Sequence, residues 1–286
     1  MLDLGHLYNT SNRSTQYFST PGSWVTWNKP RYCSFIRILC IGAGGGGGQG
    51  GTITYNGFGS YYASGGGGGG SGAMTYVIMP ANLLPDILYV SCALGGTGTG
   101  AASYVSIAPN TAGIYTVCTA NGGSPGSSGS GLSNAAGGSG GSASSASSLI
   151  LGSVYAYTYA GQDGSTSYSG TVFIGDVTYP TTGILLSGGG GGGGYSGAGA
   201  SGGTTGSGGS IYAPASQTSV YNIFQTITNG PGIELYQPLL STGGAGGGIL
   251  AANGGAGGFG SGGGGTRHST YTTSRGGNGL VIIQTW

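Results

Sequence analysis

Charge is what this chain most lacks. Its 286 residues include six lysines and arginines and five acids, a formal net charge of +1 at pH 7. A protein that grips nucleic acid by its phosphates needs a basic patch. Here one lysine, Lys29, and arginines at 13, 31, 37, 267 and 275 are scattered along the chain, so nucleic acid is not expected as a partner. So little charge also gives copies little mutual repulsion, which suits a protein that ends up inside an assembly. Cysteine is scarce as well. Cys33, Cys40, Cys92 and Cys118 are too few for a disulfide framework in a chain this long. They read as buried thiols acting as small hydrophobes, with a Cys92–Cys118 bridge as the alternative. No run approaches the ~18–20 apolar side chains of a membrane-spanning helix, and the opening MLDLGHLYNTSNRS has neither the basic nor the apolar region of a secretory signal. The expectation is a soluble chain with no membrane insertion.

Side chains that carry chemistry are equally thin. Glycoside hydrolysis needs two carboxylates facing one another. The acids are Asp3, Asp86, Asp163, Asp176 and Glu234, and only Asp163 and Asp176 are close in sequence. His6 and His268 have no cysteine or acid at ligand spacing. Glycine blocks that lack a following Lys-Ser/Thr pair and helix are not phosphate loops. The chain is therefore expected to have no catalytic residues, no metal and no cofactor.

What is abundant is glycine, 72 of 286 residues. Much of it stands in blocks: Gly44, Gly45, Gly46, Gly47 and Gly48; Gly65, Gly66, Gly67, Gly68, Gly69 and Gly70; Gly188, Gly189, Gly190, Gly191, Gly192, Gly193 and Gly194; and residues 262–265. Glycine loses more backbone freedom on ordering than any other residue. Such blocks are thus either mobile loops or extended helices of three residues per turn, whose outward amides bond to side-chain-free neighbours. The second reading is preferred, because strong strands flank the pure blocks. The serine- and alanine-diluted stretch 122–148 reads instead as a flexible linker.

Helical periodicity is nearly absent, and short strands recur. The clearest is Phe35 to Ile41, after the turn Asn28-Lys29-Pro30. Others are read at 73–79, 87–94, 104–107, 114–120, 154–159, 171–174, 183–186, 219–227, 233–236 and 280–286. Several are apolar on both faces, as in packed sheets. The alternating Tyr155, Tyr157 and Tyr159 put three rings on one face, either packing on the sheet or meeting a glycan or subunit.

The order of these elements resembles the glycine-rich domain of bacteriophage tail, tail-fibre and related virion structural proteins. The resemblance is carried by Trp24-Val-Thr-Trp27-Asn-Lys-Pro30 leading to Ile41-Gly42-Ala43 and its glycine block, then by the second block entering Ala73-Met74-Thr75-Tyr76. Val90-Ser-Cys-Ala-Leu94-Gly-Gly-Thr-Gly98, the repeated Ala120-Asn121-Gly122-Gly123 and Ala252-Asn253-Gly254-Gly255, and the closing Gly276-Gly277-Asn278-Gly279-Leu280-Val281-Ile282-Ile283 complete it. It implies a virion-surface location on the tail or capsid exterior, other virion structural proteins as partners, a homotrimer, and contact with a host-surface glycan or protein.

The expected fold is all-β: an antiparallel, jelly-roll-like β-sandwich with long glycine-rich extensions packed as polyproline/polyglycine II-type helices. Residues 1–20 read as an amino-terminal tether to a neighbouring virion protein and 21–286 as the glycine-rich sandwich domain. Within it, 124–242 form an inserted subdomain or extended loop system. Tyr55, Asn56, Phe58, Tyr61, Tyr62 and Tyr195 are read as receptor contacts at loop tips, since rings and short polar groups bind at low entropic cost. The rival readings are a capsid decoration or head-fibre subunit with no receptor, and an ice-binding or matrix protein.

Overall fold

In the computed structural model, the residues described are 14–51, 64–130, 136, 138–142, 155–164, 166–167, 253–266, 269 and 272–286, together with short strands at 54–55, 61–63, 185–186, 195–197, 234–236 and 239–241. The fold is all-β. A five-stranded antiparallel sheet has the order β1 (Ser14–Phe18), β15 (Leu280–Thr285), β3 (Phe35–Ile41), β6 (Met74–Pro80) and β10 (Tyr155–Tyr159). A four-stranded antiparallel sheet has the order β2 (Trp24–Asn28), β7 (Ile87–Ser91), β8 (Ser103–Ser106) and β9 (Thr116–Ala120). Two small sheets follow. One joins β4 (Thr54–Tyr55), β5 (Tyr61–Ala63) and β12 (Tyr195–Gly197); the other joins β11 (Leu185–Leu186), β13 (Glu234–Tyr236) and β14 (Leu239–Ser241). The expected strands at 171–174 and 219–227 lie outside the described residues. β1 falls within the span read as a tether, yet pairs along its whole length with β15, from Ser14↔Thr285 to Phe18↔Val281.

Alternation places Ile36, Ile38 and Cys40 on one face of β3, where they meet Val77, Met79, Val281 and Ile283 of their own sheet and Trp27, Leu88, Val90, Val105, Val117 and Cys118 of the other. That is the sandwich core. On the opposite face, Leu39, Ile41, Met74, Leu280 and Ile282 are also buried, under Phe259, which is why β3 and β15 read as continuous apolar runs. Cys92 and Cys118 are free, buried thiols, so the alternative of a bridge between them is set aside. Burial pushes the Cys92 thiol up to about 11, and the Cys40 thiol well above its ordinary value. Both are neutral hydrophobes in the fold.

Both sheets run at one end into glycine segments. The β3/β6 pairing ends at Ile41↔Met74 and continues without a break as Gly42 N–H to the Ala73 carbonyl, 3.0 Å. The β15/β3 pairing ends at Leu280↔Ile41 and continues as Gly44 N–H to Gly277, 2.9 Å. At this junction the buried Ser103 hydroxyl donates to the Ile41 carbonyl, 2.6 Å, and accepts from Ala93 N–H, 2.9 Å, which ties the two sheets together where side chains run out. Ser103→Ala orphans a buried donor and a buried acceptor. Each costs about 1–3 kcal/mol, so urea unfolding should show a loss of about 2 kcal/mol or more.

Candidate functional site

Beyond the junction the backbone changes period. In a β-ladder, a strand bonds to two neighbours by alternate residues. In the 42–51 segment, Gly42, Gly45 and Gly48 donate to Ala73, Gly70 and Gly67; Ala43 and Gly46 donate to Ala101 and Gly98; Gly44 and Gly47 donate to Gly277 and Ser274, all at 2.7–3.1 Å. Its carbonyls are used in the same way. Gly123, Gly126 and Gly129 donate to Ala43, Gly46 and Gln49, while Gly263, Thr266 and Ser269 donate to Gly45, Gly48 and Gly51. Each neighbour is met at every third residue, which is the threefold screw of a polyproline II-type helix. One chain segment thereby bonds five neighbours, three running antiparallel and two parallel. The 65–73 segment repeats the scheme: Gly66, Gly69 and Gly72 donate to Thr266, Gly263 and Gly260, and Gly67, Gly70 and Ala73 donate to Ser127, Ser124 and Asn121.

The two central segments are buried at 42–48 and 64–73. An alanine Cβ built on Gly44 would overlap the Ser261 carbonyl, one on Gly47 the Gly264 carbonyl, and one on Gly66 the Gly48 carbonyl. The blocks at 44–48 and 65–70 are thus ordered scaffold. The third, 188–194, lies outside the described residues. The stretch 122–148 departs from the linker reading in its described part. Gly123, Gly126, Gly138 and Gly141 donate into the lattice, and serine is admitted where the turn carries its side chain away from a neighbour. Ordering a residue's backbone costs about 1–2 kcal/mol, against about 0.5–1.5 kcal/mol net from a hydrogen bond. The lattice therefore depends on the sandwich strands to hold its segments in register.

Polar side chains within the lattice replace missing backbone bonds. Thr266 Oγ1 accepts from Gly50 N–H, 2.8 Å, Ser71 Oγ from Gln162 N–H, 2.7 Å, and Asp163 Oδ1 from Gly140 N–H, 2.7 Å. The recurrent asparagines act alike. Asn278 Oδ1 accepts from Gly95 N–H at 3.0 Å, Asn253 Oδ1 from Thr272 N–H at 3.3 Å, and Asn121 Nδ2 donates to Ser142 O at 3.1 Å. Composition gave no sign of these roles, though the repetition of Asn-Gly-Gly marked Asn121 and Asn253. Asp86 pairs with Lys29 at 3.1 Å, and Glu234 stands at the start of β13, opposite Ser241. Among the described residues, no group of three or more His, Cys, Asp or Glu is placed to hold a metal.

The two buried segments are joined at their far end by residues 52–63, and Gly51 N–H donates to Ser64 O, 2.7 Å, where the turn begins. This hairpin is the β4–β5 pair, with Tyr55 opposite Tyr61 and Thr54 opposite Tyr62. β12 adds to β5, with Tyr195 opposite Ala63 and Gly197 opposite Tyr61. Four of the residues read from sequence as loop-tip contacts, Tyr55, Tyr61, Tyr62 and Tyr195, are thus strand positions of one small sheet at the end of the lattice; Asn56 and Phe58 lie outside the described residues. The second aromatic group is on the large sheet. Tyr155 and Tyr157 are stacked with centroids 6.1 Å apart, Tyr157 and Tyr159 stand at 4.5 Å, Tyr155 meets Tyr76 edge-on at 5.6 Å, and the Arg37 guanidinium lies 4.8 Å over Tyr76. These rings pack along the outer face of the sheet, with Tyr155 and Tyr157 partly in solvent.

Residues 19–286 match the model of a family described as a glycine-rich domain. No curated protein matches the chain.

Proposed function

The chain belongs to the glycine-rich domain family, and on that footing we propose that it is a non-enzymatic structural protein of a bacteriophage virion, a tail or fibre component that contacts the host surface. The observation that carries this reading is the placement of Tyr55, Tyr61, Tyr62 and Tyr195 in one sheet at the far end of a hydrogen-bonded lattice. A mechanical spacer must not collapse, and a backbone bonded on several sides with no side chains to rearrange meets that need. Tyrosine offers a large contact area for few rotors, which suits a sugar or a protein receptor. Asp163 and Asp86 are both engaged in structural bonds, in keeping with a role that involves no acid–base chemistry. Other virion proteins are its expected neighbours, with a homotrimer the favoured assembly.

Two measurements test this. Antibody labelling of intact particles should decorate the tail or its fibres; labelling confined to the head would leave the capsid-decoration reading. Purified protein should also bind bacterial cells, and Tyr61→Ser with Tyr62→Ser should weaken that binding at least about tenfold, the scale of one lost aromatic anchor. An unchanged melting temperature would show that the loss is one of contact.

A further inference from the structure

Because Ile36, Ile38 and Cys40 of β3 face the sandwich core, alternation sends Phe35, Arg37 and Leu39 to the outer face of the five-stranded sheet. The strand registers lay successive rows across that face. In the first, the Trp286 ring is stacked on Phe35, with centroids 6.0 Å apart and 21° between planes. In the second, Thr15, Gln284, Arg37, Ile78 and Tyr155 stand side by side; the third includes Ile282, Leu39, Tyr76 and Tyr157. The middle row is polar at its centre. Arg37 Nη1 donates to Gln284 Oε1 at 2.9 Å, and Gln284 Nε2 donates to Thr15 Oγ1 at 3.2 Å. Aromatic rings lie on both sides of this polar row, and Trp286, Tyr155 and Tyr157 are 38%, 43% and 44% exposed.

Arg37 is the residue that points to a ligand. A half-buried guanidinium is normally compensated by a carboxylate. Among the described residues, however, the ion pair formed is that of Lys29 with Asp86, and Asp163 accepts from Gly140 N–H. Arg37 has instead a neutral amide oxygen and the face of Tyr76, whose centroid is 4.8 Å from the guanidinium carbon. Its planar fork carries five donors and matches a carboxylate. We infer that this face binds an oligosaccharide bearing carboxylates, with an acidic sugar over Arg37 and the adjoining sugars against Trp286 and Tyr157. The rings receive the C–H faces of the sugars, while Thr15, Gln284 and the tyrosine hydroxyls serve sugar hydroxyls. The rows of Trp286 and Tyr157 are roughly 13 Å apart along the strands, which suits a short run of sugars. An acidic peptide fits less well, since strand addition would use the edge of β10 and would need pockets for alternate side chains. The inference concerns the flank of the sandwich and does not rest on the distal tyrosines or on the reading as a virion protein.

The test is calorimetric binding to the full chain of two acidic tetramers, one of galacturonate and one of hyaluronan, each compared with its methyl ester. The ester keeps the rings and removes the charge. At least one acid should bind, about tenfold or more tightly than its ester, and more weakly as salt rises. Arg37→Gln and Tyr157→Ser should each weaken that binding about tenfold or more, whereas Tyr61→Ser with Tyr62→Ser should leave it unchanged. Binding of neither acid, or equal binding of acid and ester, would overturn the inference. Loss of binding in the Tyr61 and Tyr62 variant would do so too, by placing the sugar at the distal sheet, and so would equal affinity for an oligoglutamate peptide. If Arg37→Gln does not fold, as its melting temperature will show, Tyr157→Ser and the ester comparison on the unaltered chain decide.

Discussion

A chain carrying Gly45→Ala is expected to lose its lattice, whereas one carrying Gly98→Ala should match the parent or slightly exceed it in stability. At Gly45 the added Cβ would overlap the Ser124 carbonyl, with the Gly123 carbonyl oxygen close by. Both neighbours are backbone, so neither can rotate away as a side chain would. Relief requires the 42–51 and 121–129 segments to part, and with them the bonds from Gly123, Gly126 and Gly129 to Ala43, Gly46 and Gln49. Ordinary overpacking costs about 1–3 kcal/mol. Here several buried backbone groups are orphaned as well, and a loss beyond about 4 kcal/mol follows. At Gly98 no atom lies within 4 Å of the added carbon, and φ is outside the left-handed region. Alanine there mainly restricts the unfolded chain, a gain of about 0.4–1 kcal/mol. Denaturant unfolding of the two variants side by side measures the contrast. A Gly45→Ala chain within about 1 kcal/mol of the parent would show that those two segments do not touch.

The strands were largely legible because a buried strand needs β-branched and aromatic residues in short runs. Phe35–Ile41 is observed at the bounds read from sequence, and Met74–Pro80, Thr116–Ala120, Tyr155–Tyr159 and Leu280–Thr285 lie within one or two residues of them. β1 escaped notice because Ser-Thr-Gln-Tyr-Phe on a sheet edge has no apolar alternation; only its pairing with β15 makes it a strand. The pure glycine blocks at 44–48 and 65–70 were legible as scaffold through their flanking strands. The diluted stretch was not, because composition averages over what is a period-three code. Gly123, Gly126 and Gly129 face one neighbour, while Ser124 and Ser127 sit on the turns between. Glycine is required only where the screw aims a residue at another backbone. The distal sheet was not legible, since its residues read as loop tips. Tyr61 and Tyr62 lie beside their hairpin partner in sequence, but the addition of Tyr195 at the edge of β5 is a long-range pairing that no local pattern encodes.

Amide hydrogen exchange offers the largest expected effect, because the two states of a glycine run differ by orders of magnitude. A solvated linker exchanges at the rate of unstructured peptide. In the lattice, freeing the Gly45 amide means breaking its bond to Gly70 while Gly44 stays held by Gly277 and Gly46 by Gly98. Three different segments would have to move for one residue to open. Local fraying is then suppressed, and exchange proceeds through global unfolding, with the full stability of about 5–15 kcal/mol as its barrier. Residues 42–48 and 66–73 should therefore exchange roughly four orders of magnitude or more slower than coil, as slowly as the core strands β3 and β6 they continue. The half-exposed rim at 254–257, with fewer neighbours, should open sooner. Coil-like exchange of the central runs beside protected β3 and β6 would mean that the sandwich stands without its lattice, and the distal tyrosines would then have no rigid support from which to meet a partner.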